Sequence, residues 1–94
     1  MSQEFDWDNA KAIVNLRKHK VSFEDAKTVF SDPFAMTIND PDHSIAEFRF
    51  LELGESSTGK LLLVSYTQRE QLIRIISSRK ATAAERKTYE ENYG

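Results

Sequence analysis

Arg69, Arg74, Arg79, Lys80 and Arg86 fall within eighteen residues of one another, and Tyr89 follows three positions later. Arginine forks match the oxygens of a phosphate, and a phenol can stack on a base or exchange a proton. Such a set is suited to holding a phosphodiester. A second basic cluster, Arg17-Lys18-His19-Lys20, offers an imidazole that could act as acid or base near neutral pH, although a histidine at a helix C-terminus needs no function. Arg74 is the sharpest member, because it sits in Leu72-Ile73-Arg74-Ile75-Ile76, the most apolar part of the chain. Burying an unpaired guanidinium costs several kcal/mol, so Arg74 needs an acidic partner, with Glu47 or Glu52 on a neighbouring strand as candidates, or a groove that holds an anion. The two readings are compatible.

Other chemistries find less support. Asp40, Asp42 and His43 are metal-ligand types, but Asp-Pro-Asp-His-Ser is also a strong turn. Without cysteine there is no thiolate nucleophile and no cysteine-ligated metal. Ser56, Ser57 and Ser65 lack a Gly-x-Ser-x-Gly setting, and Gly54 and Gly59 lie between two strands rather than in a phosphate loop. The helix pair over 9–31 is a poor helix-turn-helix, since its second helix opens on the acidic Phe-Glu-Asp.

The elements that must position these residues centre on Leu61–Lys80. Two runs rich in aliphatic and β-branched residues, separated by about four polar ones, predict a central β-hairpin. Alternation puts Ile73, Ile75, Ser77 and Arg79 on one face and Arg74, Ile76, Ser78 and Lys80 on the other. Arg74 and Arg79 then reach one phosphate only if a bulge or the strand's end re-aims Arg79. Upstream, Phe5-Asp6-Trp7 suits a short edge strand, and Asp8 caps a helix over about 9–19 with Ala10, Ile13, Leu16 and Val14 as its inward stripe. Ser22 caps a second helix that stops at Asp32-Pro33. Strands over 34–38 and 48–53 precede the hairpin, and Thr82 and Glu85 form a capping box for a last helix with a thin apolar stripe. The expected fold is α+β, an antiparallel sheet of about four strands plus a short N-terminal strand, with two N-terminal helices and one C-terminal helix packed on it.

Ninety-four residues predict one domain over 1–94. The acidic N-terminus has no apolar h-region and no run approaches a membrane span, so the expectation is a cytoplasmic chain with no membrane partner. A net charge of −2 conceals a surplus of four cations over 69–89 and of five anions over 32–55. The global charge argues against indiscriminate polyanion binding, while the local basic surface can still take a phosphate backbone.

Several stretches together resemble one family. Phe5-Asp6-Trp7-Asp8, Asn15-Leu16-Arg17-Lys18-His19-Lys20-Val21-Ser22-Phe23-Glu24-Asp25-Ala26, Asp40-Pro41-Asp42-His43-Ser44, Arg49-Phe50, Arg74-Ile75-Ile76-Ser77-Ser78-Arg79-Lys80-Ala81-Thr82 and Tyr89-Glu90 are similar to the BrnT family of bacterial toxins. Lys20 departs from it, since that position is often glycine, which puts the local αL turn in question. The resemblance implies a RelE-like ribonuclease toxin of a type II toxin–antitoxin system that needs no cofactor or metal. It implies a BrnA-like ribbon-helix-helix antitoxin, an RNA substrate and operator DNA reached only through the antitoxin, and it leaves open a dimer of toxin–antitoxin heterodimers. Under it, Arg74 and Arg79 serve the phosphate, His19 and Tyr89 are the proton-transfer candidates, and Arg69, Lys80, Lys18 and Arg86 guide the RNA. A non-catalytic module that binds protein or nucleic acid in transcriptional regulation is the alternative.

Overall fold

The computed structural model describes residues 3–39 and 49–93. Strand β1 (Glu4–Trp7) leads into helix α1 (Asn9–His19), then α2 (Phe23–Lys27), which tightens into a 3₁₀ turn over Thr28–Ser31. Strands β2 (Met36–Asn39), β3 (Arg49–Glu55), β4 (Leu61–Arg69) and β5 (Leu72–Lys80) precede helix α3 (Ala83–Tyr93). The sheet order is β1-β5-β4-β3-β2. The α+β expectation holds, with one refinement: β1 joins the sheet parallel to β5, so the sheet is mixed. The hairpin loop is two residues rather than four, with Glu70 at φ 54°. The Asp40, Asp42, His43 and Glu47 expectations lie outside the described residues.

Both helix caps on the N-terminal side follow from their residues. The Asp8 carboxylate accepts from the amides of Ala10 and Lys11, and the Ser22 hydroxyl accepts from Asp25. Asp25 does not reach back to complete a capping box; its carboxylate takes the Thr58 hydroxyl of the β3–β4 loop instead. Lys20 adopts the left-handed conformation at φ 62°, ψ 30°, and its amide bonds Leu16 O. The turn associated with glycine is therefore kept, with a lysine accepting the strain.

Helix α1 corrects the predicted inward stripe. Ile13, Val14 and Leu16 are 59%, 57% and 50% exposed. Its packed side is carried by Ala12 and by Asn15, which is 5% exposed. The reason is hydrogen bonding rather than hydropathy. The Asn15 amide donates to Val21 O and Ser78 O at 2.9 Å each and accepts from Ser78 N at 3.0 Å. Since β1 ends opposite Ile75, the Ser78 backbone has no strand beside it on that edge among the described residues. The asparagine supplies the missing donor and acceptor.

The sheet buries both faces unequally. On one, α1, α2 and the 3₁₀ turn cover Leu62, Val64, Tyr66, Ile73 and Ile75, with Val21, Phe23, Ala26 and Val29 from the helical layer. Phe5 and Trp7 extend this core by ring contacts to Phe30 and Phe23. On the other, Leu53, Leu61 and Leu63 gather around Tyr89 of α3.

Replacing Asn15 by leucine leaves three buried backbone groups unpaired, and the expected loss is about 3 kcal/mol in urea denaturation. Lys20→Gly relieves the αL strain and should raise stability by about 0.5–1 kcal/mol in the same measurement, the strain relief outweighing glycine's larger entropy loss.

Candidate functional site: the outer face of the sheet

Strand β5 carries one extra residue. Ser65 pairs with Ser77 but Tyr66 pairs with Ile75, which leaves Ile76 as a bulge. The insertion reverses the parity of everything after it. Ile73 and Ile75 face the helical layer before the bulge, and Ser78 does so after it, paired with Val64. Arg74, paired with Thr67, and Arg79, paired with Leu63, consequently share the outer face. A bulge, one of the two devices that could re-aim Arg79, is present.

Cross-strand register builds this face row by row. Arg69 sits at the hairpin end; the next row runs Asp6, Arg74, Thr67, Arg49; beyond it lie Ser77, Ser65 and Leu51; then Arg79, Leu63 and Leu53. Arg74 and Arg49 are two strands apart, about 10 Å, and Arg74 and Arg79 are two rows apart, about 13 Å. Three of the expected residues, Arg69, Arg74 and Arg79, are thus brought to one face, joined by Arg49, whose place only its register reveals.

Each expected anchor is held by a carboxylate. Arg74 Nη1 donates to Asp6 Oδ2 at 3.0 Å, the side chains being 51% and 43% exposed. Glu52, a partner expected for Arg74, faces the opposite way: it pairs with Val64 and accepts from Thr37 and Tyr66 hydroxyls at 2.6 and 3.0 Å. Burial and the Glu52 carboxylate push the Tyr66 phenol well above its ordinary range, so it remains a donor. Arg79 makes a bidentate pair with Glu85, both bonds 2.9 Å, and that guanidinium holds the Glu85 carboxyl below the usual carboxylate range. Glu85 also completes the capping box, accepting from Thr82 N while its own amide donates to Thr82 Oγ.

The other expected residues stand elsewhere. Tyr89 is 7% exposed and its hydroxyl donates to Asp32 Oδ2 at 2.6 Å, so it is a bolt for α3. Asp32 is a hub: burial pushes its carboxyl up, and the Glu55 amide, the Tyr89 hydroxyl and the Phe34 amide together bring it below its ordinary value. Gly54 lies under that hub, where a Cβ would come within 2.9 Å of Val29 Cγ1. His19 and Lys18 line a cleft of about 330 Å³ between α1 and β5, with Lys11, Val14, Ile76 and Ser77. Lys80 pairs with Leu62 on the helical face's side, and Arg86 is exposed on α3. Proton-transfer candidates and arginines therefore do not converge in this conformation. Among the described residues no group of three or more histidines, cysteines and carboxylates is placed to hold a metal, and no helix is long and apolar enough to cross a membrane.

Residues 7–85 match the family model described as the ribonuclease toxin BrnT of a type II toxin–antitoxin system. The chain belongs to the BrnT family. A crystal structure at 1.1 Å resolution of the Brucella abortus ribonuclease toxin BrnT superposes with a TM-score of 0.62 at 21% identity, covering 86% of this chain and 99% of that one. At that identity the likeness bears on the fold. No curated protein matches the chain in sequence. For this BrnT-family chain the toxin class rests on the family model.

Carboxyls depressed in the folded state favour folding above the unfolded carboxyl pKa of about 4, and that stability is lost as pH falls through their lowered values. Both Asp32 and Glu85 secure α3. Amide hydrogen exchange at pH 3, corrected for intrinsic rates, should show α3 losing protection before β4.

Proposed function

We propose that the chain is a cytoplasmic endoribonuclease of the RelE-like kind that inhibits translation by cleaving RNA, and that a BrnA-like ribbon-helix-helix antitoxin neutralises it. Membership of a ribonuclease toxin family supports the class. The observation that carries the site is the Ile76 bulge, which brings Arg74 and Arg79 to one face with Arg69 and Arg49.

In this reading the 2′-hydroxyl of one nucleotide attacks the adjacent phosphorus and the 5′-oxygen leaves, without a metal. Arg74 stabilises the charge that develops on the phosphorane oxygens, and Arg79 and Arg69 hold neighbouring phosphates of the same strand. Asp6 and Glu85 hold the two guanidinium groups in place until RNA arrives. An exposed pair such as Arg74–Asp6 contributes only about 0–1 kcal/mol, so a phosphate displaces the carboxylate at little cost. Tyr89 has its hydroxyl committed to Asp32, which leaves His19, beside Lys18 in the α1–β5 cleft, as the remaining proton-transfer candidate; it serves the Arg74 phosphate only if the RNA passes over the β5 edge. Lys80 and Lys18, on the helical side of β5, and Arg86, on α3, meet the RNA where it leaves the outer face.

A non-catalytic regulator is the second reading, favoured by the same carboxylates that occupy the arginines. It predicts salt-dependent nucleic-acid binding with the RNA left intact. Inducing the chain alone, with total RNA examined by primer extension, separates the two. The expected outcome is growth arrest with new RNA ends, and a cleavage rate lowered about 10²–10³-fold in Arg74→Ala, whose side chain is exposed and whose removal should leave the fold intact by circular dichroism. Normal growth and intact RNA from folded, well-expressed protein overturn the ribonuclease reading.

A further inference from the structure

Ile13, Val14 and Leu16 are among the largest apolar side chains left in water, and all three belong to α1. The helix is held to the sheet by its other side, through Ala12 and the Asn15 amide, so the stripe cannot turn inward without breaking the Asn15–Ser78 bonds. Clustered aliphatic surface of this kind marks a place where burial against something else is still to be gained. The cleft between α1 and β5 opens beside Val14, with Ala10, Val14 and Ile76 supplying apolar walls and Lys11, Lys18 and His19 around them.

Charge says what fits there. Helix α1 carries Lys11, Arg17 and Lys18 and no carboxylate, and Lys20 follows it. On the far flank Leu16 borders Lys20, Glu24 and Asp25, and Asp25 is already bonded to Thr58. Among the described residues the side chains lining the cleft include three basic ones, Lys11, Lys18 and His19, and no carboxylate, the nearest acid on α1 being its N-cap Asp8. We propose that the outer face of α1, together with that cleft, is the docking surface for an acidic amphipathic segment of the antitoxin, a proposal that rests on reading the chain as the toxin of a type II pair. An apolar side chain of the segment enters the cleft beside Val14, others cover Ile13 and Leu16, and carboxylates along its edges meet Lys11, Arg17 and Lys18.

Three other occupants fit less well. A second copy related by a two-fold axis would set Lys11, Arg17 and Lys18 against themselves. RNA would use the cations but would find no aromatic platform on Ile13, Val14 and Leu16. An anionic bilayer would take the charge, yet α1 has only eleven residues and the apolar surface beside Val14 is concave.

The test co-expresses the chain with the antitoxin of its own operon and measures growth, complex formation by gel filtration, and affinity by titration calorimetry. Two variants lie outside both the outer-face arginines and the lining of the His19–Lys18 cleft: Ile13→Ser with Leu16→Ser, and Arg17→Glu. Each should fold and arrest growth when expressed alone, and each should bind the antitoxin at least a hundredfold more weakly and escape neutralisation. Unchanged affinity in both variants overturns the docking surface while leaving the toxin reading intact. A wild-type chain that neither arrests growth nor binds the antitoxin overturns the underlying reading instead. Self-association of the wild-type chain that Ile13→Ser abolishes assigns the face to a second copy, and sedimentation with phosphatidylserine vesicles that the same substitution abolishes assigns it to a membrane; either result overturns the proposal.

Discussion

The three hydrogen bonds of Asn15 are the constraint on which the rest of the molecule depends. They join α1, the turn at Val21 and the open edge of β5 through one side chain. Any rotation of α1 that buried Ile13 and Leu16 would strand a carbonyl and an amide at Ser78, at a cost comparable to what the aliphatic burial returns. A buried amide thereby overrules the apolar stripe of its own helix. The same interaction fixes the distance between α1 and β5, and with it the cleft that holds His19 and Lys18.

On the outer face the organising fact is arithmetic. One residue too many in β5 turns an alternating strand into one that presents Arg74 and Arg79 on the same side. The charges so gathered are neutralised by carboxylates from opposite ends of the chain, Asp6 from β1 and Glu85 from α3. The two pairs differ in kind. Arg74–Asp6 is single and exposed, whereas Arg79–Glu85 is bidentate and shares its carboxylate with a helix cap, so it has more to lose on opening. Arg74 is accordingly the more available of the two for a new anion.

Much of this was legible in the residues. Turn signals, caps and the two apolar runs of 61–80 place every described strand and helix near its observed position, because those features act locally. Arg74 declared itself as a charge in an apolar strand. What the residues hid was long-range. Asp6 stands alone on the polar side of Phe5-Asp6-Trp7, a pattern that becomes informative only once β1 is known to lie beside β5. Tyr89 looks like a catalytic phenol until Asp32, 57 positions away, is seen to accept from it. The misassigned face of α1 has the same origin, since nothing near Asn15 in sequence points to Ser78. Single-sequence periodicity weighs apolar residues and is blind to a polar one whose partners are 63 residues downstream.

The parallel pairing of β1 with β5 also sets an order in time. Glu4–Trp7 has no partner until Leu72–Ile75 exists, and α1 has no edge to close until Ser78 exists. A nascent chain leaving the ribosome therefore carries its first strand and first helix without their β5 partners until Ser78 has been made, and the closure that completes the sheet joins residues 68 positions apart. Folding in this sense waits on β5: a chain cut short before residue 74 has an outer face with no bulge, no arginine pair and no edge for Asn15 to hold.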